Sequence, residues 1–555
     1  MCGIVGYIGE RQAQPILLNS LARLEYRGYD SCGIAMASGG LKVYKDKVRV
    51  EALAKAVPPL EGTAGIGHTR WATHGEPSQV NAHPHCNCSG DIAVVHNGVI
   101  RNYQSLKEQL IAEGHSFVSE TDTEVIPHLI EKYYHGNLEE AVEAALLEVE
   151  GSYAIIVLTA DEPKLVVARK DSPVVIGLGD RENFIASDVP AILDYTNRVI
   201  YLDDGDIGIV TKDSIRVRRD GTDVAIQEHQ VSWSIEDAQK GGYEHFMLKE
   251  IHEQPKVIRD TLGEYIALAE PIANFAALSS TPLEGMLLLA CGTSYHAALV
   301  GKYIIEELAR IPVRVELASE FNYCQEPSSR TGVVAITQSG ETADTLTAMK
   351  KLKGAGRKVV VINNVVGSSA NRLADQTVYV RAGPEISVAA TKSFTGQLMA
   401  LYWLALSYSR VDISRLDSLI MDLRQLPSKV HQILDNEDAI FECAKYLSRY
   451  DNAFFIGRGV NFPVALEGAL KLKEVSYIHA EGYAAGELKH GPFALLGVDT
   501  PVIAITAQDN TYEAMLTSIK EVKARKSPLI ALAEEGNETI GELADLVISV
   551  PKIDA

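Results

Sequence analysis

The chemistry of this chain begins at its second residue. Cys2 follows the initiator methionine in Met1-Cys2-Gly3. Removal of Met1 leaves one carbon carrying both a thiol and a free α-amino group. An α-amino group titrates at roughly 7.7–8.0 and a free thiol near roughly 8.5. The amine can therefore take the thiol proton near neutral pH, as an N-terminal amine does for an N-terminal threonine nucleophile. A Met-Cys start specifies little by itself, and an accident of the start codon is the plainer explanation. The next residues weigh against accident. Gly3-Ile4-Val5-Gly6-Tyr7-Ile8 is a short apolar run, predicted as a buried strand that holds the thiol at a sheet edge.

Two further concentrations of reactive groups lie in the second half. Thr337-Gln338-Ser339-Gly340-Glu341-Thr342 follows an apolar strand and precedes a helix, and Cys291-Gly292-Thr293-Ser294 has the same placement. Backbone N–H groups at a helix N-terminus bind phosphate, and ligands gather at the carboxyl ends of parallel strands. Helix capping is the plainer role for one such loop; two in one sheet favour an anion. Further on, Glu467, Lys471 and Glu474 are spaced four and then three, so they share a helix face. His479, Glu481, Glu487, Lys489 and His490 follow closely. A solvated, salt-bridged face accounts for the first three, but general acid–base proton transfer also needs such a carboxylate base and acid. His83, His85, Cys86 and Cys88 are all potential zinc ligands, yet their spacing fits no standard zinc motif. No metal and no organic cofactor is expected.

The elements that must position these groups fall into two kinds. Up to Glu228, short apolar runs alternate with turn signals: Gly33–Ala37, Gly65–His68, Ile92–His96, Tyr153–Leu158, Leu165–Ala168, Val174–Leu178 and Ile207–Val210. Amphipathic helices are predicted at Gln12–Leu24 and Thr123–Tyr134. The expectation is a layered α+β domain on antiparallel sheets over 2–228. A polar hinge, Val231 to Gly242, falls in a linker at 229–245. After a helix at Phe246–Leu262, strands and helices alternate, and the same order occurs twice. Strands are predicted at Met286–Ala290, Val333–Ile336 and Val359–Ile362, then at Ala453–Ile456, Pro501–Thr506 and Leu529–Ala533. This predicts two doubly wound α/β domains, 246–426 and 427–555, joined near Leu426–Val430. In the second copy the matching loop carries Asp509, which repels phosphate. Copy one is therefore expected to bind an anion and copy two to move protons.

Composition narrows the class. A chain of 555 residues is too long for one hydrophobic core and suggests about three or four domains. Its formal net charge of −21 argues against nucleic acid or an anionic membrane as partner. Seven cysteines, odd in number and widely spread, do not form a disulfide framework, which points to a reducing cytoplasm. The longest apolar stretch, Leu398 to Leu406, is far short of the roughly 18 residues a membrane span needs and reads as a buried helix.

In order along the chain, the motifs resemble one family from Cys2 to about Pro551. They are Met1-Cys2-Gly3-Ile4-Val5-Gly6, Leu24-Glu25-Tyr26-Arg27-Gly28-Tyr29-Asp30-Ser31, His68-Thr69-Arg70-Trp71-Ala72-Thr73-His74-Gly75, His96-Asn97-Gly98 and Ser119-Glu120-Thr121-Asp122-Thr123-Glu124. The two loops above and Leu466-Glu467-Gly468-Ala469-Leu470-Lys471-Leu472-Lys473-Glu474 complete the set. The chain resembles the glutamine–fructose-6-phosphate aminotransferases (isomerising), or glucosamine-6-phosphate synthases. The resemblance implies an N-terminal-nucleophile glutaminase domain of four αββα layers, followed by two sugar-isomerase (SIS) domains with doubly wound parallel sheets. It implies that Cys2 attacks the glutamine amide, with Asn97 and the Gly98 N–H as the oxyanion hole. Arg70 would hold the α-carboxylate of glutamine and Asp122 its α-amino group. Thr73, His74 and His83 would line the pocket, and Trp71 would gate the passage of ammonia. Gly292, Thr293, Ser294, Thr337, Gln338, Ser339, Thr342 and Val388 match the fructose 6-phosphate site. Glu474 matches the general base, with Lys471 beside it, and His490 matches the ring-opening residue supplied by the neighbouring subunit of a homodimer.

Three departures stand out. Thr337 replaces a common serine and keeps its hydroxyl. Ala390 replaces a serine in Val388-Ala389-Ala390-Thr391-Lys392. The family also runs on to a tail whose lysine forms a Schiff base with fructose 6-phosphate, whereas this sequence stops at Lys552-Ile553-Asp554-Ala555. On that ground a second reading stands beside the enzyme: a sugar-phosphate-binding regulatory protein, glutaminase-competent or catalytically dead. Of the chain as it stands, glutamine hydrolysis but little or no glucosamine 6-phosphate is expected.

Overall fold

The computed structural model describes residues 2–25, 28–231, 233, 240–266, 275, 277–278 and 283–553. Met1, Tyr26, Arg27, Asp554, Ala555 and most of the predicted hinge lie outside the described residues. The chain divides into two compact units, 1–241 and 242–555.

In the first unit the strand Gly3–Ile8 is the organising element. It pairs antiparallel with Ala64–Arg70 on one side and Asn183–Ala186 on the other, in registers Gly3↔Thr69 and Val5↔Ala186. All six of its residues are buried, because both faces are covered. Ile4 and Ile8 pack with Ala93, Val95, Ala154 and Ile156 of a second sheet. The alternate residues turn towards the helix Ala13–Ala22, which lies against this strand and Ala64–Arg70. That two-sided burial is why the sequence is apolar without alternation. The eight-stranded sheet containing Gly3–Ile8 faces a seven-stranded sheet built around Ile92–Ile100 and Gly151–Thr159. Helices Tyr103–Ala112, Val125–Tyr133 and Leu138–Glu148 cover that sheet's outer side. The layers run helix, sheet, sheet, helix, as anticipated. The predicted helices are each trimmed by a few residues, to Ala13–Ala22 and Val125–Tyr133. Tyr103–Ala112, Leu138–Glu148 and the strand Leu41–Asp46 were not anticipated. Leu41–Asp46 sits at the sheet edge and is only partly buried, so polar residues interrupt its apolar pattern.

The second unit holds two parallel sheets. In the first, the spatial order is Val313–Leu317, Gly285–Ala290, Thr331–Ile336, Val360–Asn363, Gln376–Tyr379. In the second it is His479–Ala484, Asn452–Gly457, Val502–Thr506, Leu529–Glu534, Leu546–Val550. Both read second, first, third, fourth, fifth, a doubly wound order whose switch point lies between the first and third strands. The predicted duplication is thus a duplication of topology. The join expected near Leu426–Val430 falls instead inside the helix Ile413–Leu434, which continues through Pro427. Its Leu423 is buried in the first core, and that packing outweighs the one donor a proline removes. The run Leu398–Leu406 lies in the helix Lys392–Ser407, as predicted. No helix among the described residues is long and apolar enough to cross a membrane.

Candidate active sites

Cys2 stands where the strand Gly3–Ile8 begins. Its Sγ accepts the Trp71 N–H at 3.3 Å and lies 3.5 Å from the Trp71 carbonyl. Gly3 sits so tightly that a Cβ there would come 2.7 Å from both Leu24 Cβ and Thr69 Oγ1. The Asn97 side-chain amide donates to the Cys2 carbonyl at 2.9 Å. Gly98 follows with φ +135°, and a Cβ on it would meet the Ser152 carbonyl at 2.1 Å. This is a close approach only glycine permits. Burial pushes the Cys2 thiol up; the Trp71 N–H and the Arg70 guanidinium oppose that, and Asp122 adds to it. Burial thus disfavours the thiolate, and a base beside the thiol would favour the nucleophile.

Around it, Arg70 is buried and its guanidinium donates to the carbonyls of His74, Gly75 and Glu76, holding the loop that carries Trp71, Thr73 and His74. Trp71 is 44% exposed, with the Tyr29 ring edge-on at 5.5 Å. Asp122 is buried and accepts the Ile100 N–H at 2.8 Å, which ties it to the strand carrying Asn97.

His83, expected to line the glutamine pocket, lies in a cluster of buried histidines. It is buried, stacked 4.0 Å from His68 and edge-on to His85 at 4.7 Å. The neighbouring His68 ring contacts the His96 carbonyl at 3.0 Å. Desolvation holds His68 down at about 3 and both His83 and His85 well below the usual histidine value. These are neutral, packed rings. Burial explains them, and single histidines in a sequence do not signal it. Cys88 lies apart from them, in a group with His115, His128 and Glu131.

In the second unit, the Thr337–Thr342 loop leaves the strand Thr331–Ile336 and leads into the helix Ala343–Gly354, with Thr342 at its N-cap. The hydroxyls of Thr337 and Thr342 stand 3.4 Å apart. The Thr337 hydroxyl accepts the Gly340 N–H and the Ser339 hydroxyl accepts the Glu341 N–H. Gly340 takes φ +69°, where a Cβ would lie 2.0 Å from Ser368 Oγ. Gly292–Leu308 starts with Gly292 at φ +54°. These two loops flank the switch point of the first sheet. Ser294 accepts from Gln397 at 2.9 Å. Val388 is 51% exposed, beside Ser387, which donates to the buried Glu250.

The helix Asn461–Ser476 brings Glu467, Lys471 and Glu474 to one side, as their spacing predicted. Lys471 Nζ lies 2.5 Å from Glu474 and 3.4 Å from Glu467. It also donates to Thr293 Oγ1 at 3.1 Å. Glu467, 5% exposed, accepts from Thr293 at 2.9 Å and contacts His296 Nδ1 at 2.7 Å. Thr293 thus connects the copy-one loop to the copy-two carboxylates. His296 was not anticipated, since nothing in the sequence sets it apart within its helix. His479 begins a strand rather than extending the helix, and His490 is exposed at the end of the 3-10 segment Ala485–His490. In copy two, Asp509 accepts from Thr511 and Asn461, so that loop is closed on itself around a carboxylate.

Two family models match the chain: a glutamine amidotransferase domain over residues 68–194 and a SIS domain over 284–407 and again over 446–553. A glutamine–fructose-6-phosphate aminotransferase (isomerizing) of Caldanaerobacter subterraneus subsp. tengcongensis is 50% identical over 99% of this chain and 93% of its own length. One from Thermococcus kodakarensis is 49% identical over 100% of this chain and 93% of its own. Among solved structures, the C-terminal domain of glucosamine-fructose-6-phosphate aminotransferase from Francisella tularensis matches at 36% identity with a TM-score of 0.54. It covers 57% of this chain and 91% of that one. These relatives do not favour the regulatory-protein reading.

Proposed function

The chain belongs to the glutamine–fructose-6-phosphate aminotransferase (isomerizing) family, and from that membership we propose how its own residues divide the reaction. The reaction takes L-glutamine and D-fructose 6-phosphate to L-glutamate and D-glucosamine 6-phosphate. Cys2, freed by removal of Met1, gives its thiol proton to its own α-amino group and attacks the glutamine side-chain carbonyl. The amide C–N bond breaks, ammonia leaves and a thioester remains, which water hydrolyses to glutamate. Asn97 and the Gly98 N–H stabilise the oxyanion. Arg70 holds the α-carboxylate through its charge and its remaining N–H groups, its loop contacts taking one Nη1 and two Nη2 donors of the five. Asp122 holds the α-amino group, Thr73 and His74 line the pocket, and Trp71 gates ammonia.

The hydroxyls of Thr293, Ser294, Thr337, Ser339 and Thr342, with Gln338, Gly292 and Val388, hold fructose 6-phosphate. Ammonia condenses with C2, and Glu474 moves the proton between C1 and C2. Lys471 holds Glu474 in position, and His490 from the neighbouring subunit of a homodimer opens the sugar ring. The functional domains are 2–228, 246–426 and 427–555, and the enzyme acts in the cytoplasm. The observation that carries this reading is the Cys2 thiol under the Trp71 N–H, with Asn97 on the same residue's carbonyl. Intact-mass measurement paired with ammonia release tests it. Full hydrolysis by a species still carrying Met1 would exclude the α-amino base.

A further inference from the structure

We propose that Cys88, His115, His128 and Glu131 form a structural site for one zinc-class divalent ion, outside both reaction centres. Among the described residues these four bring one thiol sulfur, two imidazole nitrogens and one carboxylate oxygen within 4.8 Å of one another. Most of the separations suit ligands around a shared ion, and the shortest, His115 to Glu131, is also an ordinary hydrogen bond. Cys88 Sγ lies 3.5 Å from His128 Nδ1 and 3.7 Å from His115 Nδ1. Glu131 Oε2 lies 3.5 Å from His128 Nδ1 and 3.0 Å from His115 Nδ1. Tetrahedral zinc with ordinary Zn–S, Zn–N and Zn–O bonds sets neighbouring ligand atoms about 3.3–3.6 Å apart.

The surrounding contacts orient the set. Glu131 turns its other oxygen, Oε1, to Asn87 Nδ2 at 3.1 Å and Ser89 Oγ at 3.3 Å, while Oε2, which accepts the Cys88 backbone N–H at 3.2 Å, faces the cluster. His128 is 1% exposed and its Nε2 makes no hydrogen bond; the nearest carboxylate oxygen, Glu124 Oε1, is 3.9 Å away. A metal on Nδ1 fixes the proton on Nε2, and the Glu124 carboxylate is the nearest charged group to it. The Phe117 ring packs 4.4 Å from the His128 ring and limits its rotation. A thiolate, two imidazoles and a carboxylate suit zinc or cobalt(II) rather than calcium or magnesium. Four protein ligands close the coordination shell, so the ion is structural and not a Lewis acid for substrate.

The ligands come from three places: the turn at Cys88, the segment at His115 and the helix Val125–Tyr133. The ion therefore fastens three separate segments, and the third follows directly on the loop that carries Asp122. In the sequence the site was hidden because its ligands span 88 to 131, whereas His83, His85 and Cys86, which are adjacent to Cys88, do not take part.

The test uses the untagged full chain under reductant. It is stripped with chelator, saturated with Zn²⁺ or Co²⁺, dialysed, and assayed for metal content and, with Co²⁺, for absorption. One equivalent per chain and a sulfur-to-cobalt charge-transfer band are expected. Cys88→Ala should lose the band. Cys88→Ala and His115→Ala should each weaken Zn²⁺ binding by more than the roughly 10–100-fold that loss of an outer-shell partner costs. Cys86→Ala should keep both the metal and the band. Both substituted ligands lie at or near the surface, so folding is retained. Substoichiometric metal in the wild type, or a Cys88→Ala variant with wild-type content and spectrum, would overturn the site.

Discussion

At the scale of single residues, phosphate recognition divides from sugar recognition. The Thr337–Thr342 loop meets a helix N-terminus, the place proposed for the phosphate because N–H groups there favour an anion. Ser339→Ala and Thr342→Ala should weaken fructose 6-phosphate binding by about tenfold to a hundredfold and leave the binding of unphosphorylated fructose little changed. Calorimetry with both sugars checks this, and equal weakening would place the phosphate elsewhere. The loop itself, a turn between strand and helix, was legible from its hydroxyls and glycine, which helix capping alone would also explain. The partners of Glu467 were less so: its spacing to Lys471 predicted a shared helix face, but Thr293 and His296 lie more than 170 positions away in sequence. Only the fold supplies such a pair.

At the scale of elements, the first strand positions the nucleophile by close packing. Gly3→Ala would add a methyl 2.7 Å from Leu24 Cβ and Thr69 Oγ1. Overpacking of this kind costs about 1–3 kcal/mol, and relief requires the strand to shift beside Cys2. The variant should fold with a lowered melting temperature and lose glutamine hydrolysis far more than sugar binding; unchanged hydrolysis would mean the strand does not set the thiol.

The helix Phe246–Ile266 anchors the Val388 loop through Glu250, which accepts the N–H groups of Ile386 and Ser387. Burial, with Glu385 nearby, pushes Glu250 up to about 7 from 4.5, while Ser387, Ile386 and Lys392 oppose. Lys392 is itself paired with Glu253 at 2.6 Å. Because the folded value is raised, the folded state binds more protons. Its stability is full below about 4.5, falls as pH rises towards about 7, and then levels off. The slope from this group is at most about 1.4 kcal/mol per pH unit. Melting temperature followed from pH ~5 to ~7 should decline less steeply in Glu250→Gln than in wild type, and identical slopes would contradict the shift. Strands buried on both faces and helices with one apolar stripe were legible from periodicity. Edge strands such as Leu41–Asp46, and a helix that runs through Pro427, were not, because solvent exposure and tertiary packing override the local pattern there.

At the scale of the whole molecule, the duplicated α/β order was legible because the two copies repeat strand, loop and helix in the same sequence. The loops then diverge, into the proposed anion cradle in one copy and the proposed proton-transfer helix in the other, joined through Thr293 and Lys471. If His490 reaches the site of the neighbouring subunit, co-expressed Glu474→Gln and His490→Ala chains should recover synthesis that neither has alone. Half of the dimers would be mixed and one site in each intact, giving about one quarter of wild-type activity. No recovery in verified mixed dimers would mean that each chain uses its own His490.

The central claim is that nitrogen released at Cys2 becomes the amine of glucosamine 6-phosphate. The most direct measurement supplies glutamine labelled with ¹⁵N in the side-chain amide, together with fructose 6-phosphate, and follows the label by mass spectrometry. The wild-type chain should form labelled glucosamine 6-phosphate along with glutamate, while Cys2→Ala forms neither from glutamine yet still binds fructose 6-phosphate. Labelled amino sugar from Cys2→Ala, or glutamate from the wild type with no labelled amino sugar, would contradict it.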